Sequence, residues 1–167
     1  MKKYFLGIAC LCILSSCSYT YYYVVRHAEK TLNDCNAPLK SPEGFNRANA
    51  LRDTLLHKGI DSIFVSTCLR TQQTAQPLAT ALGINMIQFD VANNTALIDR
   101  LKKIRGKDIL VVGHTNTVPA VVLALSGVSI NPISDSDYDN LYIIRIRRFL
   151  WTTTRSLQQT TYGAPTN

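Results

Sequence analysis

Short apolar runs alternate with amphipathic stretches along most of this chain. Residues 21–26, 62–66, 86–89, 109–113 and 141–147 are rich in Val, Ile, Tyr and Phe and too short for helices, so they predict strands. Between them the apolar residues recur at helical spacing. Ser41-Pro42 offers a capping serine and a first-turn proline for a helix through Phe45, Ala48, Leu51, Leu55 and Leu56 that stops near Gly59. A second helix is expected over 71–82, with Ala75, Leu78, Ala79 and Leu82 on one face and Gly83 at its end. A third covers 95–104, and a fourth runs from Thr117-Val118-Pro119 to just before Gly127. Strand alternating with helix predicts an α/β sheet with helices packed on its faces. The tail from Arg148 onward is rich in Thr and Gln around Phe149, Leu150, Trp151 and Leu157. It predicts an edge hairpin followed by a loose terminus through Asn167.

The first residues follow a different pattern. Lys2-Lys3 precede an apolar stretch over 4–14 that is too short to span a bilayer as a finished helix, the pattern of an export signal. Leu14-Ser15-Ser16-Cys17 then resembles a bacterial lipobox, an aliphatic residue and two small ones before a cysteine that is lipidated. On this reading residues 1–16 are a lipoprotein signal peptide, 17–20 a short tether from the lipid on Cys17, and 21–160 the folded domain. The expected location is the bacterial cell envelope, lipid-anchored and exposed outside the cytoplasm. An ordinary cleaved signal or a short anchor, with Cys17 incidental, fits the pattern less well.

At 167 residues, 46% hydrophobic and 17% charged, the chain has the size and composition of one globular domain. Taking Lys2 and Lys3 off the formal charge of +7 leaves +5. No basic tract is interleaved with aromatics, which argues against a nucleic-acid partner. An anionic small substrate or nearby anionic lipid accounts for the excess, part of which is Arg145, Arg147 and Arg148. Cys35 and Cys68 both lie in loops directly after predicted strands, so in an oxidising compartment they either form one disulfide or stay as two thiols.

The candidate chemistry sits where three strands end. Arg26 and His27 leave the strand over 21–26 together, and His114 leaves the one over 109–113. Arg70 follows the strand over 62–66, in a loop that leads into a helix whose free N–H groups favour an anion. In open α/β sheets ligands gather beyond the carboxyl ends of the strands, so two arginines and two histidines converge on one rim. Any one of these residues alone would be an ordinary surface or capping group. Together they point to a phosphate site.

Val25-Arg26-His27-Ala28-Glu29-Lys30, Ser66-Thr67-Cys68-Leu69-Arg70-Thr71-Gln72-Gln73-Thr74-Ala75 and Val112-Gly113-His114-Thr115-Asn116-Thr117-Val118-Pro119 resemble the motifs of the histidine phosphatase superfamily, also called phosphoglycerate mutase-like. The family's usual Arg-His-Gly is Arg26-His27-Ala28 here. The resemblance implies a three-layer α/β/α sandwich with a central, mostly parallel sheet. It also implies a phosphoric monoester hydrolase of the histidine acid phosphatase type, without metal or cofactor. In that chemistry His27 takes the phosphoryl group of a small phosphorylated substrate and water releases it. Arg26 and Arg70 hold the phosphoryl oxygens. His114 donates a hydrogen bond in the transition state.

The proton donor is less clear. The family's acidic residue after the third strand has no recognisable counterpart here, only Asp90, and Thr115 stands where other members place Asp. Glu29 is the nearest carboxylate in sequence and a candidate acid, unless it pairs with Lys30, Arg26 or Arg70. Asp135, Asp137 and Asp139 lie on a later loop, and Asn33 and Asn116 are candidate neutral donors to phosphate or turn residues. A poorly placed acid favours substrates with good leaving groups. It also leaves open a pseudoenzyme that binds phosphorylated ligands without turnover.

Overall fold

The structure, a computed structural model, describes residues 17–166. The expected signal peptide over 1–16 lies outside the described residues. Strands β1 (Ser18–Arg26), β2 (Ser62–Ser66), β3 (Met86–Phe89), β4 (Asp108–Gly113), β5 (Asn140–Phe149) and β6 (Thr152–Thr161) form one sheet in the order β3-β2-β4-β1-β5-β6. The first four of that order run parallel, and β5 and β6 add an antiparallel hairpin to the β1 side. Helices α1 (Glu43–Leu55) and α2 (Leu69–Leu82) cover one face, and α3 (Asn94–Lys103) and α4 (Thr117–Ser126) the other. This is the expected mixed α/β fold.

Two apolar cores follow from that arrangement. Val25, Val65 and Val112 meet Leu51, Leu55, Ala75 and Leu78 on one face, while Val24, Phe64 and Val111 meet Leu97, Leu101, Val118 and Val122 on the other. Strands buried on both faces need apolar residues at consecutive positions, which is why Val24-Val25 and Val111-Val112 are unbroken pairs. Gly83 and Gly127 end α2 and α4 in the left-handed conformation, as the pattern suggests.

The boundaries differ in ways that matter. Strand β1 begins at Ser18, so Ser18, Tyr19 and Thr20 are not a free tether but pair with Arg148, Arg147 and Ile146. The long partner β5 supplies backbone hydrogen bonds to residues whose side chains gave no strand signal. Helix α1 starts at Glu43 with Pro42 in the cap position, and Ser41 does not cap it. Helix α2 starts at Leu69, because the Cys68 carbonyl accepts from the N–H groups of Thr71 and Gln72.

Residues 162–166 of the C-terminal tail are held in place, and Asn167 lies outside the described residues. Tyr162 is buried, Arg47 donates to the carbonyls of Tyr162 and Ala164, and Asp139 accepts from the Thr166 N–H. Cys35 and Cys68 form a disulfide, which fixes the loop over 31–37 against the start of α2.

Candidate active site

Register brings the strand exits together. Arg26 pairs with Gly113 across β1 and β4, and Val65 of β2 pairs with Val112, so the three strands end side by side. The His27 N–H then donates to the Gly113 carbonyl at 2.9 Å, and the Val118 N–H to the His114 carbonyl at 3.0 Å. The two imidazoles stand edge to face with centroids 5.3 Å apart. The Arg26, His27, Arg70 and His114 group expected from sequence is thus assembled on one rim.

Hydrogen bonds set the state of each ring. His27 Nδ1 lies 2.8 Å from the Ala28 carbonyl oxygen. A carbonyl only accepts, so Nδ1 carries the proton and Nε2 keeps its lone pair. His114 is fixed by the opposite logic. Arg70 Nη2 lies 3.2 Å from His114 Nδ1, and a guanidinium only donates, so Nδ1 accepts and Nε2 carries the proton. That Nε2–H meets Ser66 Oγ at 2.8 Å, Ser66 meets the Thr71 hydroxyl at 2.8 Å, and Thr71 donates to the Cys68 carbonyl. A buried relay of hydroxyls thereby orients the second histidine.

Electrostatics keep both rings neutral. Burial first, then the positive charges around it, push His27 down to about 2, and burial with Arg70, Lys30 and Arg26 pushes His114 down to about 4. Neither ring competes for protons at neutral pH, so the His27 lone pair is available. Stability should carry the signature. Unfolded histidines protonate near 6.5 while the folded ones resist, so this stability is complete above about pH 6.5 and is lost as pH falls below it. Urea unfolding between pH 7 and 4 should show a loss of roughly 1 kcal/mol per pH unit for each histidine at its steepest. A shallower slope in His114→Gln would assign it, and an unchanged slope would refute the assignment.

Both arginines are built for an anion. Arg26 is almost fully buried; its Nη1 donates to the carbonyls of Ser134 and Asp137 at 2.6 and 3.0 Å, and its guanidinium lies 4.3 Å from the Tyr138 ring centre. Arg70 Nη1 donates to the Asp34 carbonyl at 2.6 Å. The Nε–H groups of both are buried without a hydrogen-bond partner. A buried guanidinium donor left unpaired is costly, and an oxyanion is its natural partner. Lys30 adds a third cation, held below the usual lysine range by burial and by Arg26 and Arg70. The Ala28 N–H donates to the Thr74 hydroxyl at 2.9 Å.

Not every expected residue is brought to the rim. Glu29 is bonded elsewhere. Its carboxylate is gripped by Arg47 Nε and Nη2 at 2.8 to 3.0 Å, on the side of α1 and the C-terminal tail. Asn33 is exposed on the 31–37 loop, and Asn116 is exposed at the start of α4 with only the Thr117 hydroxyl, at 3.4 Å, on its Oδ1. Neither contacts the two histidines or the two arginines.

Among the later carboxylates, Asp137 is taken by Asn140 and Asp139 by the tail. Asp135 remains, 3.5 Å from Arg26 Nη2 and 87% exposed. Ser66, Lys30 and Tyr138 are the residues that sequence reasoning missed. Ser66 and Lys30 lie within the motifs, whereas Tyr138 arrives from a loop with no pattern. Among the described residues no cluster of three His, Cys, Asp or Glu side chains is placed to hold a metal ion.

Residues 22–93 match the family model described as the histidine phosphatase superfamily (branch 1). Over that stretch the chain is similar to sequences of the histidine phosphatase superfamily. The match contains Arg26, His27 and Arg70, and the fold adds His114 to the same site. Comparison with curated proteins gave no match. Solved structures share the fold across nearly the whole chain. A protein named as the phosphohistidine phosphatase SixA from Agrobacterium tumefaciens is 19% identical, with a TM-score of 0.58 over 87% of this chain and 98% of its own. One of the same name from Nakamurella multipartitia is 21% identical, with a TM-score of 0.62 and the same coverage. A mycobacterial glucosyl-3-phosphoglycerate phosphatase is 11% identical, with a TM-score of 0.63 over 86% of this chain and 99% of its own.

Proposed function

We propose that this chain is a phosphatase of the histidine phosphatase superfamily that works through a phosphohistidine on His27. The observation that carries the proposal is the pairing of two unpartnered, buried guanidinium Nε–H groups with an imidazole whose Nε2 is neutral and unprotonated. Arg26, Arg70 and Lys30 draw a phosphoryl dianion onto the rim. The His27 Nε2 lone pair forms the N–P bond as the bond from phosphorus to the leaving group breaks. His114, with its Nε2–H on Ser66 and its Nδ1 accepting from Arg70 Nη2, fixes the Arg70 guanidinium that holds the phosphoryl oxygens as negative charge shifts toward the leaving group. Water then attacks phosphorus, the N–P bond breaks with its electron pair returning to Nε2, phosphate leaves carrying the protons of the water, and Nδ1 keeps its proton on the Ala28 carbonyl throughout.

The substrate class follows from what surrounds the leaving group. Among the described residues Asp135 is the one carboxylate ion-paired with a rim arginine, and it stands 87% exposed at 3.5 Å from Arg26 Nη2, not enclosed over the leaving group. A leaving group that needs little help suits such a site, and a phosphoramidate such as phosphohistidine is the preferred class. The names of the two SixA neighbours favour the same class. Activity on a phosphohistidine peptide should exceed that on an alkyl phosphate by roughly 100-fold in kcat/KM, the share a general acid usually supplies. Equal turnover of the two would remove the leaving-group argument.

The chain is further proposed to act at the cell envelope, carrying lipid on Cys17. Cys17 is exposed and free, and the Cys35–Cys68 disulfide suits an oxidising compartment. Incorporation of labelled fatty acid into the expressed chain, and its loss in Cys17→Ser, is the expected result. Equal labelling of both, or none in either, would dispose of the lipid.

A further inference from the structure

At the end of β1 remote from the histidines, the hairpin between β5 and β6 turns through Leu150 and Trp151. Both are apolar and stand in solvent, 54% and 94% exposed. Leu150 holds φ at +51°, a left-handed conformation that asparagine or glycine would adopt at lower cost. A bulky residue kept in that conformation to present an apolar tip calls for a function.

Behind the tip lies a groove of about 210 Å³ lined by Lys102, Arg105, Arg148 and Arg155. Arg148 is held below the usual arginine range by burial and by the charges of Arg105 and Arg155, so these cations face one another. Such crowding is relieved by an anion. Cys17 and Ser18 lie at this end of the sheet too: Cys17 Sγ is 3.3 Å from Arg147 Nε, and Ser18 pairs with Arg148.

We propose that this end of the sheet is a membrane-docking surface. Trp151 and Leu150 enter the interfacial region of a bilayer, and the Lys102, Arg105, Arg148 and Arg155 groove takes the phosphates of anionic phospholipid headgroups. Tryptophan settles at the headgroup level, and each basic residue near an anionic surface adds about 1 kcal/mol. Strand β1, nine residues long, separates this surface from His27 by roughly 30 Å at 3.3 Å per residue. Docking here leaves the active rim facing away from the lipid. The contact does not depend on how the N-terminus is processed or on whether His27 is catalytic.

Trp151 is the chain's one tryptophan and therefore the probe. The full chain is reconstituted in phosphatidylcholine vesicles with and without phosphatidylglycerol, each containing brominated acyl chains. The expected result is a blue-shifted Trp151 emission with more than half of its intensity quenched in the anionic vesicles, and little quenching in the neutral ones. Lys102→Gln/Arg155→Gln should lose the anionic quenching while keeping wild-type turnover of a soluble aryl phosphate, which reports that it is folded. A water-exposed emission in anionic vesicles would overturn the proposal. So would equal quenching in neutral and anionic vesicles, or in the variant and the wild type, because the N-terminal segment alone would then hold the tip at the lipid.

Discussion

Replacing His27 by alanine should lower turnover of an aryl phosphate by at least about 10,000-fold, while tungstate or vanadate still binds within about tenfold of its wild-type affinity. The split follows from the division of labour at the rim. On the proposed mechanism the oxyanion is held by Arg26, Arg70 and Lys30, and the unpaired guanidinium donors of the two arginines survive the substitution. The N–P bond, by contrast, has no second nucleophile. The His114 Nε2 proton is committed to Ser66, and its Nδ1 is committed to Arg70. Arg70→Met should show the converse, a loss of oxyanion binding that raises KM as well as lowering kcat, because the guanidinium contacts phosphate before and during transfer. If His27→Ala retained even a hundredth of wild-type turnover, the covalent route would be wrong. If it lost oxyanion binding altogether, His27 would be a binding group.

The second large effect lies outside the chemistry. Arg47→Met should destabilise the fold by about 3–5 kcal/mol, the usual cost of leaving one member of a buried ion pair alone. For a chain of this size the melting temperature should fall by roughly 10 °C. Arg47 makes three hydrogen bonds to the Glu29 carboxylate, which is only 15% exposed, and two more to the carbonyls of Tyr162 and Ala164. One guanidinium therefore fastens the segment after β1 to α1 and to the C-terminal tail. Glu29→Gln, which keeps the shape and part of the bonding, should cost less and leave kcat within about threefold of wild type, since a group that merely positions the tail is no proton donor. The double variant Arg47→Met/Glu29→Met should recover part of the loss, because no charge is left unpaired. Thermal unfolding and steady-state kinetics on the same preparations read both effects. A large loss of kcat in Glu29→Gln, with stability intact, would restore Glu29 as the acid.

What could be read from the chain depends on the distance over which a residue acts. The strands carrying Val24-Val25, Val65 and Val112 announce themselves through their own composition, and so does the convergence of Arg26, His27, Arg70 and His114, because strand ends in a parallel sheet share one rim. Ser18–Thr20 gave no signal because their strand character is lent by β5, a partner more than a hundred residues away. Glu29 misled for a related reason. Sequence placed it two residues from His27, but the turn after β1 directs it to Arg47, a charged residue buried on the inner face of α1 among Ala48 and Leu51. Tyr138 and Asp135 reach Arg26 through the irregular loop before β5, where no periodicity exists to be read. The tail is ordered by hydrogen bonds from Arg47 and Asp139, which composition does not encode.

The central claim is that phosphorus passes through His27. The direct measurement is rapid acid-free quenching of the enzyme during turnover of an aryl phosphate, followed by intact-mass and peptide mapping under alkaline conditions that preserve phosphohistidine. The expected result is one phosphoryl group on the peptide containing His27, absent from His27→Ala and discharged when substrate is exhausted. Steady turnover with no phosphorylated peptide, or with the phosphoryl group on His114, would contradict it.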